Sequence, residues 1–255
     1  MIVGGLGPIS LLEFLAVAAM ALSGALAAIQ RRGNLAAACL AALAAGLVGG
    51  TARDLLISAP VFWIAGPLHP AICLAAAGVA WAASAQTWNP RLLPWLDALG
   101  FSAYAVVSAS IAADAGAAPL SAAVVGVIAG VLGGMVRDRI TRRPVMALEP
   151  QLYLSAAVVG VVLFVMLRLM QVDAPQAALA GTAAAFALRA GALSLGWAVP
   201  GLQAAQDADA RPPETATAVP TAGSRPPGET PAETRADAPP LAGQAPAKPE
   251  PWKDV

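Results

Sequence analysis

Apolar residues fall into seven long blocks, most of them near the roughly 20 residues a helix needs to cross a bilayer core of about 30 Å. The predicted spans are 9–29, 35–58, 68–86, 96–115, 119–140, 150–170 and 176–199. Between them stand short breaks such as "QRRGN", "QTWNPRLLPW" and "QVDAPQ", marked by Pro, Gly, Asn and charge. Trp63, Trp88, Trp95 and Trp197 lie at span edges, where amphipathic rings prefer to sit. Trp81 falls inside the third span and reads as a packing residue. The pattern predicts an all-α integral membrane protein with seven transmembrane helices.

Composition agrees. The 255 residues are 58% hydrophobic and 12% charged, whereas soluble domains carry about 25% charged residues. The net charge of zero hides a division. Residues 1–203 hold ten Arg, no Lys and seven acids, while residues 204–255 hold five basic and eight acidic residues and 11 of the 22 prolines. So polar a tail has too little apolar surface to offset the entropy of ordering, and 204–255 reads as a disordered Pro/Ala-rich segment.

Basic residues in the breaks set the expected orientation. With seven spans, Arg31, Arg32, Arg91, Arg139, Arg142 and Arg143 share one side, and only Arg168 borders the other. The positive-inside rule then places the N-terminus outside the plasma (inner) membrane and the tail in the cytoplasm. The N-terminus lacks a basic n-region, so the first apolar block is expected to remain as a span. Cys39 and Cys73 lack metal or redox spacing and read as small buried residues. His69, the one histidine, reads as a loop or interface residue beside Pro67 and Pro70.

The sharpest signal is a repeat. Shifting the chain by 84 residues lays "GLVGGTARD" (46–54) on "GVLGGMVRD" (130–138). The shared positions are Gly46/Gly130, Gly49/Gly133, Gly50/Gly134, Arg53/Arg137 and Asp54/Asp138, and the same shift pairs Pro60 with Pro144 and Glu13 with Asp97. Spans one to three (9–86) and four to six (95–170) are thus two copies of one unit, and the seventh span (175–199) stands outside them. Because three spans is an odd number, the second copy enters the membrane inverted. Inverted repeats place binding or permeation sites at their interface, on helices interrupted near Gly or Pro.

The chemistry of the motif points the same way. From Leu35 to Gly49 is about 22 Å of helix, short of a full crossing, so the glycines precede the far interface and Arg53–Asp54 lies at or just inside it. Gly-Gly lets a helix bend and frees backbone groups that must be satisfied. Each arginine needs a partner: Arg53 can meet Asp54 on its own helix or Asp138 across the repeats, and Arg137 likewise meets Asp138 or Asp54. Gly46, Gly49, Gly50, Gly130, Gly133 and Gly134 are the candidate hinge and gate. Glu13 and Asp97 are candidate carboxylates at a pore mouth, and Ser23 and Ser108, at matching depths in spans one and four, are candidate pore lining. Arg189, deep in span seven and outside the repeat, is expected to make a bundle or headgroup contact. The chain offers no metal-ligand set, no nucleophile with its base, no phosphate-cradling loop and no basic-aromatic pattern. No enzyme activity, cofactor, metal or nucleic-acid partner is expected.

Two three-span units, each ending in Gly-Gly-x-x-Arg-Asp followed by a proline, resemble the bacterial glycine transporter family, which is similar in fold to the trimeric intracellular cation channels. "ALSGALAAIQRRGN" and "LDALGFSAYAVVSA" look like that family's first and fourth helices. The resemblance covers about residues 9–199. It implies a homotrimer in the lipid bilayer with one pore per protomer, lined by spans one, two, four and five, and with spans two and five kinked at their glycine pairs. It also implies a permeant monovalent cation, with glycine or another small amino acid as the alternative cargo. A non-conducting scaffold is the remote alternative. Animal channels of that group carry a lysine on the fourth span; this core has none, so their voltage gating is not carried over.

Overall fold

The computed structural model describes residues 7–83, 89, 91–146 and 153–196. The tail, Trp88 and Trp197 lie outside them. Among the described residues there are seven helices: α1 (Pro8–Gln30), α2 (Leu35–Leu56), α3 (Leu68–Ala82), α4 (Leu92–Asp114), α5 (Pro119–Ile140), α6 (Tyr153–Leu169) and α7 (Ala174–Leu195). Prolines open α1, α5 and α7, where a missing amide costs nothing. The Asn34 side chain caps α2 by accepting from the Ala37 amide.

Five of the helices are long and apolar enough to cross a membrane; α3, with 15 residues, and α6, with 17, are shorter. Of the spans expected over 68–86 and 150–170, residues 84–86 and 150–152 lie outside the described residues, while α3 ends before them at Ala82 with Ala83 as its cap.

Close packing explains the composition. Lipid tails are as apolar as leucine, so helices associate in a membrane through small residues that bring backbones together. The core is accordingly built mostly from alanine, with α1 and α4 the most deeply enclosed helices. Large side chains such as Leu11, Leu40, Leu55, Leu74, Val158 and Leu179 face outward, as a lipid-facing surface requires. Trp81 corrects its sequence reading. Cys73, Ala77 and Ala80 form the buried stripe of α3, and Trp81, one residue and about 100° beyond Ala80, points outward and is 44% exposed.

The two repeats match down to single hydrogen bonds. After α2, Ser58 takes the left-handed conformation (φ 55°) while the Ala59 amide bonds Asp54 O (2.8 Å) and the Ser58 amide bonds Leu55 O (3.2 Å). After α5, Arg142 (φ 52°) does the same, with Arg143 bonding Asp138 O (2.8 Å) and Arg142 bonding Arg139 O (3.2 Å). Both are Schellman caps, which satisfy the last carbonyls of a helix. Arg143 Nη1 reaches Gln30 at the end of α1 (3.0 Å), so α5 ends where α1 ends. The α2 motif instead meets the start of α1. The two Arg-Asp motifs therefore stand at opposite ends of the bundle.

Candidate functional site

Each motif folds into the same ionic cluster. In the first, Arg53 Nε donates to Asp54 Oδ1 (2.7 Å) and Arg53 Nη1 to Glu13 Oε1 (2.8 Å). The other oxygen of Asp54 accepts the Phe62 amide (2.7 Å), and the Phe62 ring lies 5.2 Å from the guanidinium carbon of Arg53, within cation–π range. The second cluster is its copy at the other end. Arg137 Nε and Nη2 both lie 2.8 Å from Asp138 Oδ1, and Nη1 lies 2.5 Å from Asp97 Oδ1. Asp138 Oδ2 accepts the Met146 amide (3.0 Å), and Met146 Sδ is 3.5 Å from Arg137 Nη2.

The cap makes this possible. Left-handed Ser58 and Arg142 reverse the chain, and Pro60 and Pro144 carry it back, so that the amides of residues 62 and 146 return to the aspartate that closed the helix. Neighbouring residues on a helix point about 100° apart, yet the long arginine wraps round to its own aspartate and reaches a carboxylate on the first helix of its repeat. The pairing is thus within each repeat, and Arg53–Asp138 and Arg137–Asp54 do not form. Glu13 and Asp97, read as pore-mouth carboxylates, are the arginines' second partners.

The clusters differ in enclosure. Asp97, Arg137 and Asp138 are sealed, with side chains no more than 1% exposed, while the Glu13 side chain is 16% exposed. Ser23 joins the second cluster from the first repeat, accepting from Arg137 Nη1 (2.9 Å) and donating to Met20 O (2.7 Å). Ser108 is buried on α4 with no hydrogen-bond partner for its hydroxyl among the described residues. Arg189 is a bundle contact, its guanidinium 4.8 Å from the ring of Tyr153. His69 occupies the place in the first repeat that Tyr153 holds in the second, between the rings of Phe14 (4.9 Å) and Phe62 (4.6 Å).

The glycines lie between the clusters, where α2 crosses α5. Both helices continue through their glycine pairs to Leu56 and Ile140. A Cβ on Gly49 would strike the carbonyl oxygen of Ala129, and one on Gly133 would lie 2.5 Å from that of Ala45. Ala45 and Ala129 are themselves one repeat apart, so the contact is reciprocal about the pseudo-twofold axis. Gly46 faces Cys73, Gly130 faces Ala105, Gly50 faces Phe62 and Tyr104, and Gly134 faces Tyr153 and Asp97. The crossing is backbone on backbone, and it is closed.

A family model described as a glycine transporter matches residues 10–85 and 94–168, the two halves just compared. The chain belongs to the glycine transporter family. Relatives of this family member are membrane proteins. The UPF0126 inner membrane protein YadS of Escherichia coli K12 is 31% identical over 152 residues, covering 58% of this chain and 73% of that protein. A UPF0126 membrane protein of Vibrio cholerae is 26% identical over 189 residues, covering 72% and 78%. Among solved structures, a trimeric intracellular cation channel orthologue from Rhodobacter sphaeroides superposes with a TM-score of 0.71 at 34% identity, over 74% of this chain and 98% of that one. A prokaryotic channel of the same kind, crystallised in 0.5 M KCl, has a TM-score of 0.69 at 18% identity, over 75% and 98%, and shares the fold.

Sequence reasoning found both arginines, all four carboxylates and the glycines. It missed Tyr104, Phe62, Met146 and Tyr153. The 84-residue shift would have placed Phe62 on Met146 and His69 on Tyr153, but unlike residues give no motif to notice.

Proposed function

We propose that this glycine transporter family member is a membrane permeation protein, and specifically a channel for monovalent cations such as potassium, with its pathway through α1, α2, α4 and α5 of each protomer. One observation carries the reading: each of the two repeat clusters holds two carboxylates against one arginine (Glu13, Asp54 and Arg53; Asp97, Asp138 and Arg137). Each cluster taken alone has one negative charge in excess, which favours a cation over an anion beside it. The α2–α5 crossing at Gly49 and Gly133 is the gate, closed here, and it opens when the two backbones part.

Glycine or another small amino acid is the second reading, and the family description and the arginines favour it. A zwitterion would present its carboxylate to Arg53 or Arg137. Both guanidinium groups are already held by two protein carboxylates apiece, so a substrate carboxylate would have to displace one. That competition weighs towards a cation. The outward apolar faces and the likeness to trimeric channels support a homotrimer in the lipid bilayer. The meeting of Arg143 with Gln30 gathers α1- and α5-end arginines at one end of the bundle, in keeping with an outer N-terminus and a cytoplasmic tail.

Reconstitution decides between the readings. One proteoliposome preparation is assayed for potassium efflux and for uptake of labelled glycine. Potassium efflux without saturable glycine uptake is expected; saturable, competed glycine uptake without potassium flux would establish the transporter instead.

A further inference from the structure

At the crossing the repeats part company. Tyr104 Oη, buried on α4, donates to the Gly46 carbonyl (2.9 Å) and accepts from the Gly50 amide (3.1 Å). Gly46 and Gly50 are the i and i+4 members of one helical turn, whose carbonyl and amide ordinarily serve each other. The hydroxyl can reach them because Gly50 has no side chain: a Cβ there would lie 2.6 Å from Oη. A group inserted at such a turn is a recognised cause of helix bending.

The residue one repeat away from Tyr104 is Met20. It stands at the matching place, its Cε 3.2 Å from the Cβ position of Gly133, just as Tyr104 Cε1 stands 3.3 Å from that of Gly49. A methyl group has no proton to give and no lone pair to offer to the turn Gly130–Gly134. Where no water reaches, opening a turn strands a carbonyl and an amide unless another group satisfies them. The first repeat has that group already bonded to both. In the second, Met20 offers only a thioether, and the Tyr153 hydroxyl, 3.0 Å from the Cβ position of Gly134, makes no hydrogen bond to the Gly130–Gly134 turn.

We infer that Tyr104 is a positioning residue for permeation: its hydroxyl holds both backbone groups when the Gly46–Gly50 turn opens, so α2 is the helix that bends and α5 is the post it bends against. The local geometry stands by itself, while the consequence for flux rests on the permeation reading. The two inverted halves are then unequal in motion though alike in fold. The gate works by displacement of one helix, not by symmetric parting of two.

The test compares wild type with Tyr104→Phe, which removes one oxygen, and with Tyr104→Met, the residue the other repeat uses. Hydrogen–deuterium exchange is followed in nanodiscs on peptides spanning 46–54 and 130–138, and potassium efflux on the same preparations in liposomes. In wild type the α2 peptide should exchange faster than the α5 peptide. Both variants should slow the α2 peptide by about 5-fold or more, a change of about 1 kcal/mol in the opening equilibrium. The α5 peptide should stay unchanged, and efflux should fall. Unchanged or faster α2 exchange in the variants would overturn the inference, the faster case showing that Tyr104 locks the turn shut. Slowed exchange in a protein that passes no potassium even as wild type would uphold the hinge and refute the permeation reading, so the two failures are distinguishable.

Discussion

The cluster around Arg53 and the cluster around Arg137 share every ionic contact that the repeat brings with it, and differ in nearly everything around those contacts. Both arginines bind the next residue in the chain and a carboxylate 40 positions earlier, and both aspartates accept an amide eight residues on. Around that frame Glu13 corresponds to Asp97, Phe62 to Met146, His69 to Tyr153 and Tyr104 to Met20. The second cluster alone takes a hydroxyl from the other repeat, Ser23, and has Arg189 of α7 stacked on its Tyr153. What the fold needs twice is kept twice: a charged clamp that ends the helix and ties it to the first helix of its unit. The surroundings are where the two ends of the molecule become different, one sealed and one partly open.

The largest test of this comparison is to remove carboxylates one at a time from the two clusters. Removing one carboxylate leaves the arginine its other carboxylate but strips a charge-assisted hydrogen bond and leaves buried guanidinium N–H groups unmet, a loss of about 1–3 kcal/mol or more where the site is sealed; an exposed pair is worth about 0–1 kcal/mol. Asp97→Ala and Asp138→Ala should therefore cut the amount of folded protein severely, measured by size-exclusion chromatography after extraction. Glu13→Ala should cost clearly less, since its side chain is partly solvated. Equal losses at Glu13 and Asp97 would mean that enclosure does not distinguish the two ends.

Next in size is the arginine itself. Lysine keeps the charge but loses the planar fork that reaches two carboxylates at once. Arg137→Lys should lower the midpoint of thermal unfolding more than Arg53→Lys does, because only the sealed site leaves carboxylate oxygens without water to take over.

The glycine crossing comes next, taken from both sides at once. Gly49→Leu with Gly133→Leu forces side chains onto the Ala129 and Ala45 carbonyls, and overpacking of this kind typically costs about 1–3 kcal/mol per site. Flux should fall severely while the protein still inserts, as scored by membrane fractionation. Unchanged flux at equal abundance would reduce these glycines to packing residues with no part in the gate.

The smallest effects belong to the caps. Ser58 and Arg142 hold left-handed backbone that costs an L-residue about 1–2 kcal/mol relative to glycine, so Ser58→Gly and Arg142→Gly should each raise thermal stability slightly. A loss on either substitution would show that the side chain contributes more than the conformation costs.

Much of this architecture is legible in the chain itself. Apolar block lengths gave helices close to those observed, such as 119–140 for α5 and 9–29 for α1 (Pro8–Gln30), and the 84-residue shift exposed the inverted copy with its arginines, carboxylates and glycines. The choice of partner was not legible. Helical periodicity places Arg53 and Asp54 on different faces and says nothing of a side chain long enough to wrap between them. Nor could the shift reveal that Gly49 and Gly133 serve a mutual backbone crossing, since their partners, Ala45 and Ala129, are ordinary residues in an alanine-rich chain. Tyr104 escaped for the opposite reason: its role exists in one copy only, and a repeat displays what is shared. Trp81 misled because a tryptophan within a span fits packing and lipid exposure alike until the buried stripe of its helix is known.

The central claim, that the pathway past the two carboxylate-rich clusters carries cations, is tested most directly by the reversal potential of the reconstituted protein in a planar bilayer under a potassium chloride gradient. The account predicts a reversal potential close to that of potassium and unmoved by an added glycine gradient. A reversal potential near that of chloride, or one that follows the glycine gradient, would contradict it.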